Sequence, residues 1–221
     1  MHRRRGGYCF EHNLLLLGIL RELGFRADGL AARVRWGRPP GTIGPRTHML
    51  LRVELAEGPY IADVGFGGLT PTAPLALATG TQQTTPHETF RLVAAGGEFD
   101  LEAWLGRTWS SLYRFSLQEQ APIDYQVANW FTSTHPDSLF VRHLTATLPG
   151  AGCRYTLFND KFTIRHLDGR VERRTIEGAA IFGEVLARYF GITPADPADL
   201  SAAAAFAGQS AAHPDPFETS Q

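Results

Sequence analysis

Arg3-Arg4-Arg5-Gly6-Gly7-Tyr8-Cys9-Phe10-Glu11-His12-Asn13 opens the chain and runs directly into the apolar segment Leu14 to Leu23. Phe10, Leu14, Leu17 and Leu20 recur at helical spacing, with Leu15, Leu16, Ile19 and Leu23 filling in. That pattern predicts a largely buried helix over 9–23, stopped by Gly24. The glycine pair therefore sets Cys9 on the first turn of a helix. Unpaired N–H groups and the macrodipole there favour negative charge, and so the thiolate, which is the nucleophilic form of cysteine.

Working outward, 221 residues are enough for one large domain or two small ones with a real core. Hydrophobic residues make up 43% and charged ones 19%, the balance of a globular chain rather than a disordered or membrane one. A net charge of -1 offers no electrostatic case for nucleic acid, so a small organic substrate is the better expectation. Cys9 and Cys153 lie far apart and in no metal-type spacing, which predicts no disulfide framework and no metal site. Two unpaired thiols point to a reducing, cytoplasmic compartment. The basic start and the apolar run imitate a secretory signal, but Glu11 and His12 interrupt it and Arg21-Glu22 close it early. The run is read instead as a core helix, with no membrane segment.

Beyond the helix the text becomes β-rich. Phe25 to Trp36 reads as a strand, followed by the breaker-rich loop Gly37 to Arg46. Thr47 to Leu55 and Tyr60 to Phe66 form a hairpin across Ala56-Glu57-Gly58-Pro59. Gly67 to His87 reads as a long surface loop. Phe90 to Ala95, Glu98 to Leu105 and Thr108 to Ser116 follow as antiparallel strands, and the succession suggests a barrel or a sandwich. Helical patterns cover Ile123 to Thr134 and Ala179 to Phe190, with two or three strands between Leu139 and Ile176. The Ala-, Pro- and Ser-rich residues 207–221 read as a disordered tail.

A cysteine nucleophile needs a base and a group to orient that base. His48 and Asp63 are the candidates. Alternation puts Met49, Leu51, Val53 and Leu55 on a core face and His48, Leu50, Arg52 and Glu54 on the other. Asp63, within Ile61-Ala62-Asp63-Val64-Gly65, would cost several kcal/mol to bury unpaired, so it calls for a cationic or hydrogen-bonded partner. A hairpin turning at Glu57-Gly58 would set residue 48 opposite 67 and leave Asp63 about 13 Å away at strand rise. An earlier turn or a bulge is needed to join the two. Arg5 and Glu11 form a possible ion pair at the glycine turn. The remaining histidines, His143 among them, read as surface or loop groups, and Cys153 as a packing residue.

Arg5 to Asn13, Thr47-His48-Met49 and Asp63-Val64-Gly65-Phe66-Gly67, together with Ala128-Asn129-Trp130-Phe131-Thr132-Ser133-Thr134-His135-Pro136-Asp137-Ser138-Leu139-Phe140, resemble the arylamine N-acetyltransferase family over roughly residues 3–192. The resemblance implies an α+β fold in a cysteine-proteinase-like arrangement. An antiparallel β-barrel core would stand with an N-terminal helix carrying the catalytic Cys and a C-terminal α/β lid. Its expected domains are 1–24 with the nucleophile, 25–120 as barrel, 121–206 as lid and 207–221 as tail. It implies a ping-pong transfer in which Cys9 takes acetyl from acetyl-CoA as cosubstrate, His48 takes the thiol proton and Asp63 orients the imidazolium. The acceptor would be an arylamine, arylhydrazine or N-hydroxyarylamine, as in the metabolism of xenobiotics.

By the same resemblance Phe66 would touch the aromatic substrate and Gly67 would lie near the pantetheine arm, with CoA and the small aromatic amine or hydrazine as the partners. Glycine at 65 and 67 would leave the thin arm room to approach backbone. Relative to the family the chain is N-terminally truncated, lacking helices that ordinarily precede the Arg-Gly-Gly-Tyr-Cys motif. The apolar face Leu14 to Ile19 is therefore expected to lack cover. A papain- or transglutaminase-like cysteine hydrolase, and an inactive remnant of the acetyltransferase, are the alternative readings.

Overall fold

The computed structural model describes residues 6–39 and 41–193. Arg3 to Arg5, and with them the Arg5–Glu11 pair, lie outside that range, as do His2, His213, the last residues assigned to the lid and the tail 207–221. In chain order the elements are α1 (Cys9–Glu22), β1 (Arg26–Val34), β2 (His48–Leu55), β3 (Gly58–Ala62), β4 (Leu75–Ala76), β5 (Gln82–Thr84), β6 (Thr89–Ala95), β7 (Glu98–Leu105) and β8 (Thr108–Phe115), then α2 (Pro122–Thr134), α3 (Leu139–Arg142), β9 (Thr145–Gly150), β10 (Cys153–Phe158), β11 (Lys161–His166), β12 (Val171–Thr175) and α4 (Ala179–Phe190). They fall into two compact units, residues 7–132 and residues from 133 onward.

The first unit is one eight-stranded antiparallel sheet, ordered β4-β3-β2-β1-β8-β7-β6-β5, that curls into a nearly closed barrel. Its two edge strands are too short to pair along their length, and a side chain joins them. Ala76 N–H donates to the Gln83 carboxamide oxygen at 2.6 Å, and Gln83 Nε2 donates back to Ala76 O at 2.9 Å. The amide thus imitates the paired hydrogen bonds of a neighbouring strand, which manages the exposed edge. The segment 67–87, expected as a surface loop, is this seam and buries Leu75, Thr70 and Thr85. Strands of two and three residues carry too few positions to show a period of two.

Leu30, Leu50, Ile61, Phe90, Leu92 and Leu101 fill the barrel interior. Outside it, α1 lies over β1 and β2, where Cys9, Phe10 and Leu17 meet Ala27, Met49 and Leu51. The expected division of β2 into a core face and a polar face therefore gives way. His48, Met49, Leu50 and Leu51 are all buried, because the barrel closes one face and α1 covers the other. Arg52 and Glu54 reach water only toward the far end.

Helix α1 is not largely buried as its apolar run predicts. Cys9, Phe10, Asn13 and Leu17 form its one buried stripe, and Leu14, Leu15, Ile19 and Leu23 are exposed. A helix laid on a sheet covers a single stripe, so the other leucines face away. Glu11 accepts from Tyr8 N–H at 3.1 Å at its start. At its end Gly24, at φ +86°, lets Phe25 N–H return to Leu20 O at 2.9 Å.

In the second unit four strands, ordered β12-β11-β10-β9, form an antiparallel meander. Its core joins Leu157, Phe162 and Ile164 of the sheet to Phe182, Val185 and Leu186 of α4. The sequence pattern predicts two or three strands there; the unit has four, plus the one-turn α3. Cys153 packs in that core. His143 corrects the expectation of a surface or loop group. It is buried, stacks on Phe158 at 4.8 Å, and its Nδ1 lies 3.1 Å from Asn159 Nδ2. Among the described residues no helix is long and apolar enough to cross a membrane.

Candidate active site

The hairpin β2–β3 turns at Ala56-Glu57, pairing Leu55 with Gly58 and Leu51 with Ala62. That register turns earlier than Glu57-Gly58 and moves Asp63 two positions closer to His48 than the later turn allows. Asp63 follows the last residue of β3 and is thereby the diagonal neighbour of His48, within reach of a long side chain. His48 Nε2 lies 2.7 Å from Asp63 Oδ2, and both side chains are almost wholly buried. With Nε2 engaged, Nδ1 is the ring nitrogen left for another partner.

Cys9 reaches the same place from α1. Its Sγ contacts Thr47 O, the carbonyl preceding His48, at 3.6 Å, and the residue is 4% exposed. Gly65 makes the approach possible. A Cβ built there would stand 2.5 Å from Cys9 Cα and 2.9 Å from Asn13 Nδ2. The space beside Gly65 is thus filled by the backbone of Cys9 and not kept for a substrate arm.

Burial opposes charge on His48. The Asp63 charge and hydrogen bond, assisted by Cys9, outweigh it and push the imidazole from 6.5 up to about 10. Burial likewise works against the Asp63 carboxylate. The His48 charge and hydrogen bond, the Gly65 N–H and the Asn13 amide together hold it below 3.8. The pair is an imidazolium and a carboxylate at neutral pH.

Two neighbours escape a reading of the sequence. Tyr113 of β8 packs its ring 4.8 Å from the His48 ring and 5.0 Å from Phe66. Burial, then the Asp63 charge, drives its phenol well above 10. Asn13 is fully buried and hydrogen-bonds to Asp63, Met49 and Val64. A polar residue on the buried stripe of α1, one turn after Cys9, is the signal that could have found it. Nothing in the local sequence sets Tyr113 apart from other strand aromatics.

Phe66 stands edge-on to His48 at 5.1 Å and closes the barrel side of the site. Gly67, at φ +89°, donates to Thr70 Oγ1 at 2.8 Å and turns the chain away. A thiol at a helix start beside a buried imidazolium–carboxylate pair can attack an acyl carbon and pass protons to and from the groups that enter and leave. Among the described residues no cluster of His, Cys, Asp and Glu could hold a metal ion.

A family model described as N-acetyltransferase matches residues 1–197. The arylamine N-acetyltransferase of Mycobacterium tuberculosis is 44% identical over 197 residues, which are 88% of this chain and 69% of that protein. An enzyme of Salmonella typhimurium named for both arylamine N-acetylation and N-hydroxyarylamine O-acetylation is 38% identical over 87% of this chain and 68% of its own length. Among solved structures, Mycobacterium marinum arylamine N-acetyltransferase in complex with CoA superposes with a TM-score of 0.87 at 42% identity, covering 94% of this chain and 77% of that one.

Proposed function

Because this chain belongs to the arylamine N-acetyltransferase family, we propose that it moves an acetyl group from acetyl-CoA to an arylamine, arylhydrazine or N-hydroxyarylamine through an acetyl-Cys9 intermediate. The observation that carries this reading is the buried His48–Asp63 pair, charged and set against the start of the helix that bears Cys9.

Cys9 Sγ, as thiolate, attacks the thioester carbonyl. The tetrahedral intermediate collapses with cleavage of the C–S bond to CoA, and the departing sulfur takes the proton of the His48 imidazolium. The acceptor amine then attacks the acetyl-cysteine carbonyl and gives a proton to the now neutral His48. Cleavage of the C–Sγ bond frees the amide product and restores thiolate and imidazolium together. Asp63 remains ionised throughout and holds Nε2, so that Nδ1 is the nitrogen that exchanges protons. Backbone N–H groups at the start of α1, that of Cys9 included, are the natural donors to the developing oxyanion. Phe66, backed by the fully buried Tyr113, offers aromatic surface to the acceptor ring, Gly67 lies on the path of the pantetheine arm, and CoA is the donor partner. The thiol chemistry suits a reducing, cytoplasmic setting.

Incubation with acetyl-CoA followed by mass analysis tests the reading. An acetyl-sized mass increase localised to Cys9, discharged when an arylamine is added, is the expected result. A folded chain that gains no acetyl group, or one that still gains it after Cys9→Ser, would overturn it.

A further inference from the structure

The first turns of α1 carry one polar side chain with no exposed surface. Asn13 lies four residues after Cys9, hence on the same face one turn further along. Its Nδ2 donates to Met49 O at 2.8 Å and to Asp63 Oδ1 at 3.1 Å, while its Oδ1 accepts from Val64 N–H at 3.1 Å. A flipped amide would press its oxygen against two acceptors, so the orientation follows from the partners. One carboxamide thus bonds the strand that begins with His48 and the loop that follows Asp63, from the helix that begins with Cys9.

The Asp63 carboxylate shows what this accomplishes. Oδ2 faces His48, and Oδ1 receives Gly65 N–H at 2.9 Å and the Asn13 amide. Gly65 alone ties Oδ1 only to the carboxylate's own loop, so that the carboxylate turns with that loop. The second donor, from a different element, fixes its plane. We propose that Asn13 is a positioning residue of this site, whose side-chain amide aims the Asp63 carboxylate at His48 and ties both to the helix bearing the nucleophile. The proposal rests on the acyl-transfer reading, and it assigns Asn13 no contact with the reacting atoms.

Asn13→Ser removes both donations across the site while retaining a small polar group. Asn13→Asp keeps the shape but turns an oxygen toward Met49 O and Asp63 Oδ1. Three measurements apply to each: the urea unfolding midpoint, the rate of Cys9 alkylation by iodoacetamide as a function of pH, and single-turnover acetyl loading from acetyl-CoA. Alkylation and loading are expected to fall about ten- to a hundredfold, as when a buried charged acceptor loses a donor. The pH profile of alkylation should shift with them, and the KM for acetyl-CoA should change less than about threefold. A residue that merely holds the fold would lower the urea midpoint and leave the alkylation profile in place.

In an Asp63→Asn background, Asn13→Ser should cost less than about threefold more, because the path from Asn13 to His48 runs through that carboxylate. Full additivity, an unchanged profile in either folded variant, or failure of both variants to fold would overturn the proposal. Alkylation needs no acetyl-CoA, so the two readings fail separately. An Asn13-dependent thiol in a chain that never loads acetyl would sink only the transfer reaction.

Discussion

Gly65 is a position where a single added carbon has no room, because what it meets is backbone. Its side is closed by Cys9 Cα at 2.5 Å and by the Asn13 amide at 2.9 Å, neither of which can swing away. Gly65 N–H also holds Asp63 Oδ1, so a displaced loop would turn the carboxylate as it moved. Gly65→Ala is expected to destabilise the fold by about 1–3 kcal/mol, the usual cost of overpacking. Acetyl loading should fall by about a hundredfold, since a misplacement near 1 Å is enough for that. Urea unfolding and single-turnover loading measure the two effects, and loading at the parent rate in a folded variant would refute the argument. Glycine at this position was legible in the sequence, but its reason was not, because the atom it makes room for is 56 positions away in the chain.

Helix α1 shows which parts of an element a sequence discloses. Its start, its end and its helical character follow from Gly6-Gly7, Gly24 and the spacing of leucines, and the structure has Cys9–Glu22 in that place. The buried face does not follow, because a run of leucines offers several equivalent stripes and tertiary packing selects one. Strands of the first unit were legible where they were long enough to alternate, as β7 illustrates, whereas the four of the second unit were read as two or three. The seam strands β4 and β5 were not legible. The contact of His48 with Asp63 depended on a turn two residues long, and a shift of that turn by one residue changes which side chains meet. The stripe of α1 can be tested directly. Leu17→Ala, at a buried position, should cost about 2–5 kcal/mol in urea unfolding. Leu14→Ser and Ile19→Ser, at positions 46% and 45% exposed, should stay within about 0.5 kcal/mol of the parent. Equal costs at the three positions would show that the outer face is covered as well.

Over the whole molecule the buried charge pair ties folding to pH, and the direction of that link can be worked out. His48 holds its proton up to about 10 when folded and releases it near 6.5 when unfolded. Its contribution to stability is therefore complete below pH 6.5 and is lost as pH rises toward 10. Asp63 is held below 3.8 when folded, so its contribution is complete above pH 3.8 and disappears as pH falls through the lowered value. Both are present together only between those limits, and the alkaline side is the more accessible to measurement. Cys9 adds to the charge of the same imidazole, so Cys9→Ser is the background in which the pair titrates by itself. There, unfolding free energy should decline between pH 6.5 and 9 by at most about 1.4 kcal/mol per pH unit, the limit for one proton. Adding His48→Gln should lower stability at pH 6 and flatten that decline, because no imidazolium remains to be discharged. Urea titrations at three pH values on the two chains are sufficient. A decline of equal slope in both would mean that some other group, and not the imidazolium buried against Asp63, links this fold to pH.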